Sequence, residues 1–137
     1  MVIADTGLFL AITNRSDRHH ERAKRALRTL GSERLMTTWP VLTEACHLFA
    51  TASDRRRILE SVNSGAVTVL ELSMVHVPRM LDLMEKYADL PMDLADASLV
   101  LLAETLNDGR ILSTDERDFH TYRWKNRKPF KNLLATA

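Results

Sequence analysis

The sequence predicts an α/β fold, with a central, mostly parallel sheet of four or five strands flanked by helices on both faces. Short apolar runs of strand length recur between longer stretches with helical spacing, in the order βααβααβααβ. Successive runs are joined by helical crossovers, the connection that parallel strands require. Apolar residues make up 45% of the 137 positions, with only four glycines and four prolines, a composition that supports one packed core and excludes a disordered chain. The expectation is one domain over residues 1–137.

Residues 2–4 form a short apolar run that stops at Asp5-Thr6-Gly7, a buried first strand whose carboxyl end delivers Asp5. Leu8 to Ile12 restarts the chain as a short helix. Ser16 or Asp17 is the expected cap of the next helix, in which Ala23, Ala26, Leu27 and Leu30 follow the i, i+3, i+4, i+7 pattern before Gly31 closes it. Residues 34–38 read as the second strand. Thr38 and Pro40 then open a helix containing Val41, Leu42, Ala45, Leu48 and Phe49, with Glu44 in its first two turns. A helix over 54–63 precedes a third strand in residues 66–72. Ser73 or His76 starts a helix with Val77, Met80, Leu81, Met84 and Ala88 on one face. Pro91 breaks the chain, and Asp93 caps a long helix that runs to about Asn107 and stops at Gly109. Residues 110–114 are a fourth strand leading to Asp115, and residues 129–134 form a fifth, edge strand in which Pro129 is tolerated.

No run approaches the roughly 20 apolar residues of a membrane span. The N-terminus places Asp5 inside its apolar stretch with no basic residue before it, unlike a secretory signal, so a cytoplasmic location is expected. Cys46 is the only cysteine, which excludes an internal disulfide and leaves stability to packing or to a partner. An oligomer is expected. The formal net charge is +1, from 19 basic and 18 acidic residues, and its distribution says more than its sum. Arg123 to Lys131 carries five cations with Trp124 and Phe130 interleaved, and Arg18 to Arg28 is a second basic stretch. Acids gather in residues 89–96 and 115–118. Such zoning lets one region hold a metal ion and another hold polyphosphate.

In parallel sheets ligands bind beyond the carboxyl ends of the strands, where Asp5 and Asp115 belong. Glu44 and Asp96 lie early in helices that can reach the same rim. Each alone has an ordinary structural role, as an Asx turn or a helix N-terminal charge. Together, unpaired carboxylates repel unless a divalent cation neutralises them. No His/Cys set has zinc spacing, and the Glu44/His47 pair lacks the second E-x-x-H of a di-iron bundle, so His47 reads as a packing or hydrogen-bonding residue. Asp93 is expected to cap the helix while Asp96 faces the metal, and Asp118 to cap a short helix or serve as a secondary contact.

The segments VIADTGLFLAI, TTWPVLTEACHL, PMDLADASLVLLAE and ILSTDERDF, in this order and spacing, resemble the PIN domains, and within them the VapC-type toxins of toxin–antitoxin pairs. The resemblance covers nearly the whole chain. It implies that Asp5, Glu44, Asp96 and Asp115 are the catalytic, metal-holding quartet, with Thr6 and Ser113 as neighbouring hydroxyls; Ser113 stands where the family more often has threonine. It further implies an Mg2+- or Mn2+-dependent endoribonuclease, usually homodimeric, that is blocked by a small VapB-like antitoxin. A divalent-metal DNA nuclease, a phosphatase and a PIN domain that binds RNA without cutting it are the competing readings, because carboxylate-held metals serve all phosphoryl chemistry. Arg123, Lys125, Arg127 and Lys128 are candidate RNA-phosphate contacts with Trp124 as a stacking face, against the plainer reading of a solvated basic edge. An antitoxin would insert an Arg or Lys into the acidic cleft and lay a helix beside residues 8–12 and 42–49.

Overall fold

The computed structural model describes residues 1–137. Five parallel strands, β1 (Val2–Ala4), β2 (Leu35–Thr38), β3 (Val67–Leu70), β4 (Arg110–Leu112) and β7 (Lys131–Asn132), form the central sheet in the order β3-β2-β1-β4-β7. Seven helices flank it: α1 (Thr6–Thr13), α2 (His20–Leu30), α3 (Trp39–Leu48), α4 (Ala52–Asn63), α5 (Val77–Lys86), α6 (Leu94–Leu106) and α7 (Glu116–Thr121). The chain builds outward from β1 to β3 and then returns to place β4 on the other side of β1. The order therefore reverses between β1 and β4, and the crevice beyond their carboxyl ends is where a ligand site forms in such sheets.

Val2, Ile3, Ala4, Ile111 and Leu112 are inaccessible, which is why the central strands read as unbroken apolar runs instead of alternating ones. α6 contributes most to the core, burying Ala95 and Ala97 to Ala103 without interruption. Its start is fixed by Asp93, whose Oδ1 accepts from the Asp96 amide at 2.8 Å, and by the buried Thr38–Ser98 hydroxyl pair at 2.6 Å. Thr38 also caps α3, as its spacing before Pro40 predicts.

Several expectations shift. α2 begins at His20 with His19 in the cap position, because the Asp17 carboxylate is spent on the His19 amide in the preceding turn. α6 ends with Asn107 in the left-handed conformation; Gly109 serves a different purpose, since a Cβ there would lie 2.3 Å from Trp124 Nε1. The buried side of α5 is Met80, Leu83 and Tyr87, so the helix is rotated from the expected face and Leu81 is 62% exposed. A 3-10 turn (Met74–His76) precedes α5. The edge strand is shorter than expected, at Lys131–Asn132. Pro129 belongs instead to an unforeseen antiparallel hairpin of β5 (Arg123–Trp124) and β6 (Lys128–Pro129), whose turn holds Lys125 and Asn126 at φ of 50° and 61°.

Candidate metal centre

Four elements end at one crevice. β1 delivers Asp5 and β4 leads to Asp115, each the N-cap of the helix that follows. α3 supplies Glu44 and the first turn of α6 supplies Asp96. With Asp93 and Asp118 they line a single cleft of about 380 Å3, together with Thr6, Gly7 and Thr114. The quartet proposed from the sequence is thus brought together, and so are the secondary positions Thr6, Asp93 and Asp118. Ser113 lies just beneath. No lysine, arginine or histidine lines this cleft.

Asp5 sits deepest, 8% exposed. Its Oδ1 accepts from the Thr6 amide at 2.7 Å and its Oδ2 from Ser113 Oγ at 2.7 Å. Ser113 Oγ in turn accepts from the Asp115 amide at 3.0 Å, so one buried hydroxyl ties Asp5 to the loop that carries Asp115. Burial pushes the Asp5 carboxyl up to about 6 despite the two hydrogen bonds, and the Glu44 and Asp115 charges add to the rise. Asp96 rises to about 7, through burial and through the Asp93 and Asp5 charges. Glu44 is raised by burial and by Asp93. Asp118 is raised by burial and by Asp115. The helix it was expected to cap is capped by Asp115, whose Oδ1 accepts from the Asp118 amide at 3.1 Å, and the two carboxyls meet at the rim.

The donor set fits a hard divalent cation. It is all oxygen, strongly anionic and open on one side, and Mg2+ is held by one or two carboxylates while keeping several waters. Thr6 Oγ1 is buried at this cleft without a hydrogen-bond partner. An orphaned hydroxyl of this kind calls for an acceptor or donor from outside the chain. As the side chains stand, no three carboxylates close into a ligand cage; Asp5, Asp93 and Asp115 are turned partly onto amide groups.

Three supporting residues are invisible to sequence reasoning. Tyr122 Oη donates to Asp96 Oδ2 at 3.2 Å, with its ring edge-on to Tyr87 and Phe119, and the buried, acid-facing phenol is held well above its ordinary pKa. Asn132 on β7 brackets Ser113, accepting from its amide at 3.2 Å and donating to its carbonyl at 2.8 Å. Gly7 allows close approach of Thr114, whose Oγ1 would lie 1.8 Å from any Cβ at that position. The only local signals are a tyrosine after a short helix, an asparagine in an edge strand and a glycine two residues after an aspartate.

Past Arg123, which directly follows Tyr122, the basic hairpin leads away from this crevice. It packs at the far end of α6, about 20 Å long at 1.5 Å per residue, where the Lys125 amide donates to Glu104 and Lys125 Nζ to Asn107. Arg123 Nη1 donates to the carbonyls of His120, Thr121 and Tyr122, closing α7. Lys128 Nζ stands 4.8 Å from the centre of the Trp124 ring. Arg127 is exposed. The expected stacking face is absent: Trp124 is 7% exposed, with its indole N–H on the Pro129 carbonyl. His47 is exposed, contrary to the packing role expected of it. The residues expected to form an apolar groove, Leu8, Phe9, Ala11, Leu42, Ala45 and Phe49, are buried. The apolar residues that remain exposed near the crevice are Trp39, Leu48 and Leu94.

A family model for the PIN domain matches residues 2–125. The chain belongs to the PIN domain family. Among solved structures it is similar to the crystal structure of Mycobacterium tuberculosis VapC20, described as a Sarcin-Ricin loop cleaving toxin, with a TM-score of 0.73 and 18% identity over 85% of this chain and 92% of that one. At that identity the likeness speaks for the fold. The comparison with curated proteins finds no match. The PIN fold explains why the acids of this chain gather at the β1–β4 switch point. No helix is long and apolar enough to cross a membrane.

Proposed function

We propose that this PIN domain, a single unit over residues 1–137, is an endoribonuclease that uses Mg2+ or Mn2+ and acts in the cytoplasm as the VapC-type toxin of a toxin–antitoxin pair. The observation that carries this reading is the cleft in which Asp5, Glu44, Asp96 and Asp115 converge with no cationic side chain among them. These four would hold the ion. When bound, it lowers the pKa of a water and stabilises charge on the attacked phosphate. The chain's own groups keep the ligands in place: Ser113 holds Asp5, Tyr122 holds Asp96, and Asp93 carries the helix cap so that Asp96 need not. Thr6 Oγ1 is available to a water or a phosphate oxygen. RNA as the substrate class is supported by membership of the family and by the likeness to VapC20, a toxin that cleaves the Sarcin-Ricin loop.

A small VapB-like antitoxin fits the same surface. A depression lined by Trp39, Pro40, Thr43, His47 and Leu94 shares Glu44 and Asp93 with the cleft, so a partner can seat apolar residues there while an Arg or Lys reaches the carboxylates. A homodimer is supported by the exposed apolar residues Met74, Val75 and Leu81, at 81%, 80% and 62%. The deciding test incubates purified protein with RNA, DNA and a small phosphate ester, with Mg2+, with Mn2+ and with chelator. RNA cleavage that needs the ion and is lost in Asp96→Asn is expected; cleavage by Asp96→Asn at the wild-type rate refutes the assignment. Induction should arrest growth, co-production with a neighbouring small protein should relieve it, and light scattering should give a dimer.

A further inference from the structure

A cationic depression adjoins the acidic cleft. Arg22 and Arg25 lie at i, i+3 on one side of α2 and Arg18 stands in the turn before it, and all three line one depression. With His19, Thr114 and two acids, Glu116 and Glu21, the latter 3.5 Å from Lys24, they line a cavity of about 540 Å3 that contains no hydrophobic residue. Arg18 and Arg25 are exposed, and neither has a carboxylate within ion-pair distance; Arg22 has one, Glu116 at 3.4 Å on the open rim. His19 provides no side-chain cap for α2, so the positive end of the helix dipole adds to the same field. Thr114 lines both the depression and the cleft, and Asp115 and Glu116 follow it directly.

This juxtaposition answers a difficulty of the nuclease reading. A cleft lined by carboxylates repels a polyanion, so the strand must be held by cations close to the bond that is cut; of the hairpin cations, Arg123 is bonded to the end of α7 and Lys125 to the far end of α6. We propose that the α2 depression binds the phosphodiester backbone of single-stranded RNA next to the scissile bond, with Arg18, Arg22 and Arg25 as phosphate contacts. The inference rests on the ribonuclease reading above and names the surface that sets its substrate affinity. Guanidinium groups suit this task because each can offer two parallel N–H donors to a phosphate. Glu116 occupies Arg22 until a phosphate displaces it.

The test measures binding apart from chemistry. Asp96→Asn protein, free of divalent metal, is titrated into a fluorescent single-stranded oligoribonucleotide of mixed sequence over a salt series. The same is done with Arg18→Gln and Arg25→Gln added together, and with Arg127→Gln added alone. The double replacement is expected to weaken binding about tenfold and to flatten the log–log salt slope by about 1.4, at about 0.7 per phosphate of a single strand. Arg127→Gln should leave the slope alone, and lysine at 18 and 25 should restore most of it. A change in fold would not move the slope selectively, and a thermal melt checks it separately. An unchanged slope in the double variant, while the otherwise wild-type enzyme cleaves RNA, overturns the proposal and leaves the nuclease reading standing. An unchanged slope with lost capture of a co-produced protein overturns it in favour of an acidic partner segment. A flattened slope in a protein that never cuts RNA supports the site and removes the ribonuclease reading.

Discussion

At the amino end of the sheet Arg110 closes on Glu33 at 2.6 Å and on Asp108 at 2.8 Å, and Arg79 grips Glu104 with two parallel bonds, whereas at the carboxyl end six carboxylates share a cleft without one basic side chain. The same residue type meets opposite electrostatics. Hydrogen bonds from Arg110 hold the Glu33 and Asp108 carboxyls below their ordinary range, and Glu104 is lowered too because Arg79 and the Lys125 amide outweigh its burial. Burial and mutual repulsion push Asp5, Glu44, Asp96 and Asp118 the other way. A fold that places an arginine beside each acid at one end has no steric reason to leave six unpaired at the other. The compensating charge at the carboxyl end is to be supplied from outside the chain.

The sharpest break of this comparison is removal of one unpaired acid. Asp96→Asn should lower RNA cleavage by about 100-fold or more while raising the melting temperature of the metal-free protein near pH 8, since it deletes a repelled charge and keeps the shape. Loss of both activity and stability would mean that Asp96 is structural. Next in size is the ion itself. At 100 times its dissociation constant, Mg2+ or Mn2+ should stabilise the fold by about 2.7 kcal/mol, and chelator should abolish both that gain and cleavage.

A pH series sets the two ends against each other. Asp5 and Asp96 have folded-state values above their ordinary 3.8, so the stability tied to their protonated forms is full below about 4 and is lost as pH rises through about 6 and about 7. Glu33, Asp108 and Glu104 are lowered, so their contribution is present above the ordinary carboxylate range and disappears as pH falls below it. Metal-free melting temperature should therefore peak in mildly acid solution and fall towards pH 8, and saturating divalent ion should remove the fall. A profile that rises steadily to pH 8 without metal would contradict the unpaired cleft. Smaller again, Arg79→Gln should cost about 1 kcal/mol in chemical denaturation and leave the cleavage rate alone. The smallest effect belongs to Asp93→Asn, within a few tenths of a kcal/mol because asparagine caps equally well; a loss of cleavage equal to that of Asp96→Asn would end the division of labour between these two acids.

What could be read from the sequence was what is decided locally. Asp5 and Asp115 announce themselves because each follows an apolar strand, and Thr38 and Asp93 because a cap acts within three residues. The supports act through space. Tyr122 reaches Asp96 across 26 positions and Ser98 reaches Thr38 across 60, with no periodicity to mark either pair. The stacking face expected of Trp124 fails for a related reason: the exposure of Lys125, Arg127 and Lys131 agrees with a solvated basic edge, but Trp124 folds onto Gly109, a contact that charge counting cannot register. The basic stretch at α2 carried less aromatic character and a weaker sequence signal, yet it is the one that the topology sets beside the acids.

The hydrogen bond between Ser113 and Asp5 spans 108 positions, and Asn132 clamps Ser113 from the edge strand. During synthesis the chain emerges amino end first, and β1 must wait for β4 before its second neighbour exists. The cleft is thus completed late: a ribosome carrying this chain as far as α6 displays Asp5, Glu44 and Asp96 without the loop that joins them to Asp115. Topology itself acts as a timer: a product that stops short of β4 and the loop after it has no finished site.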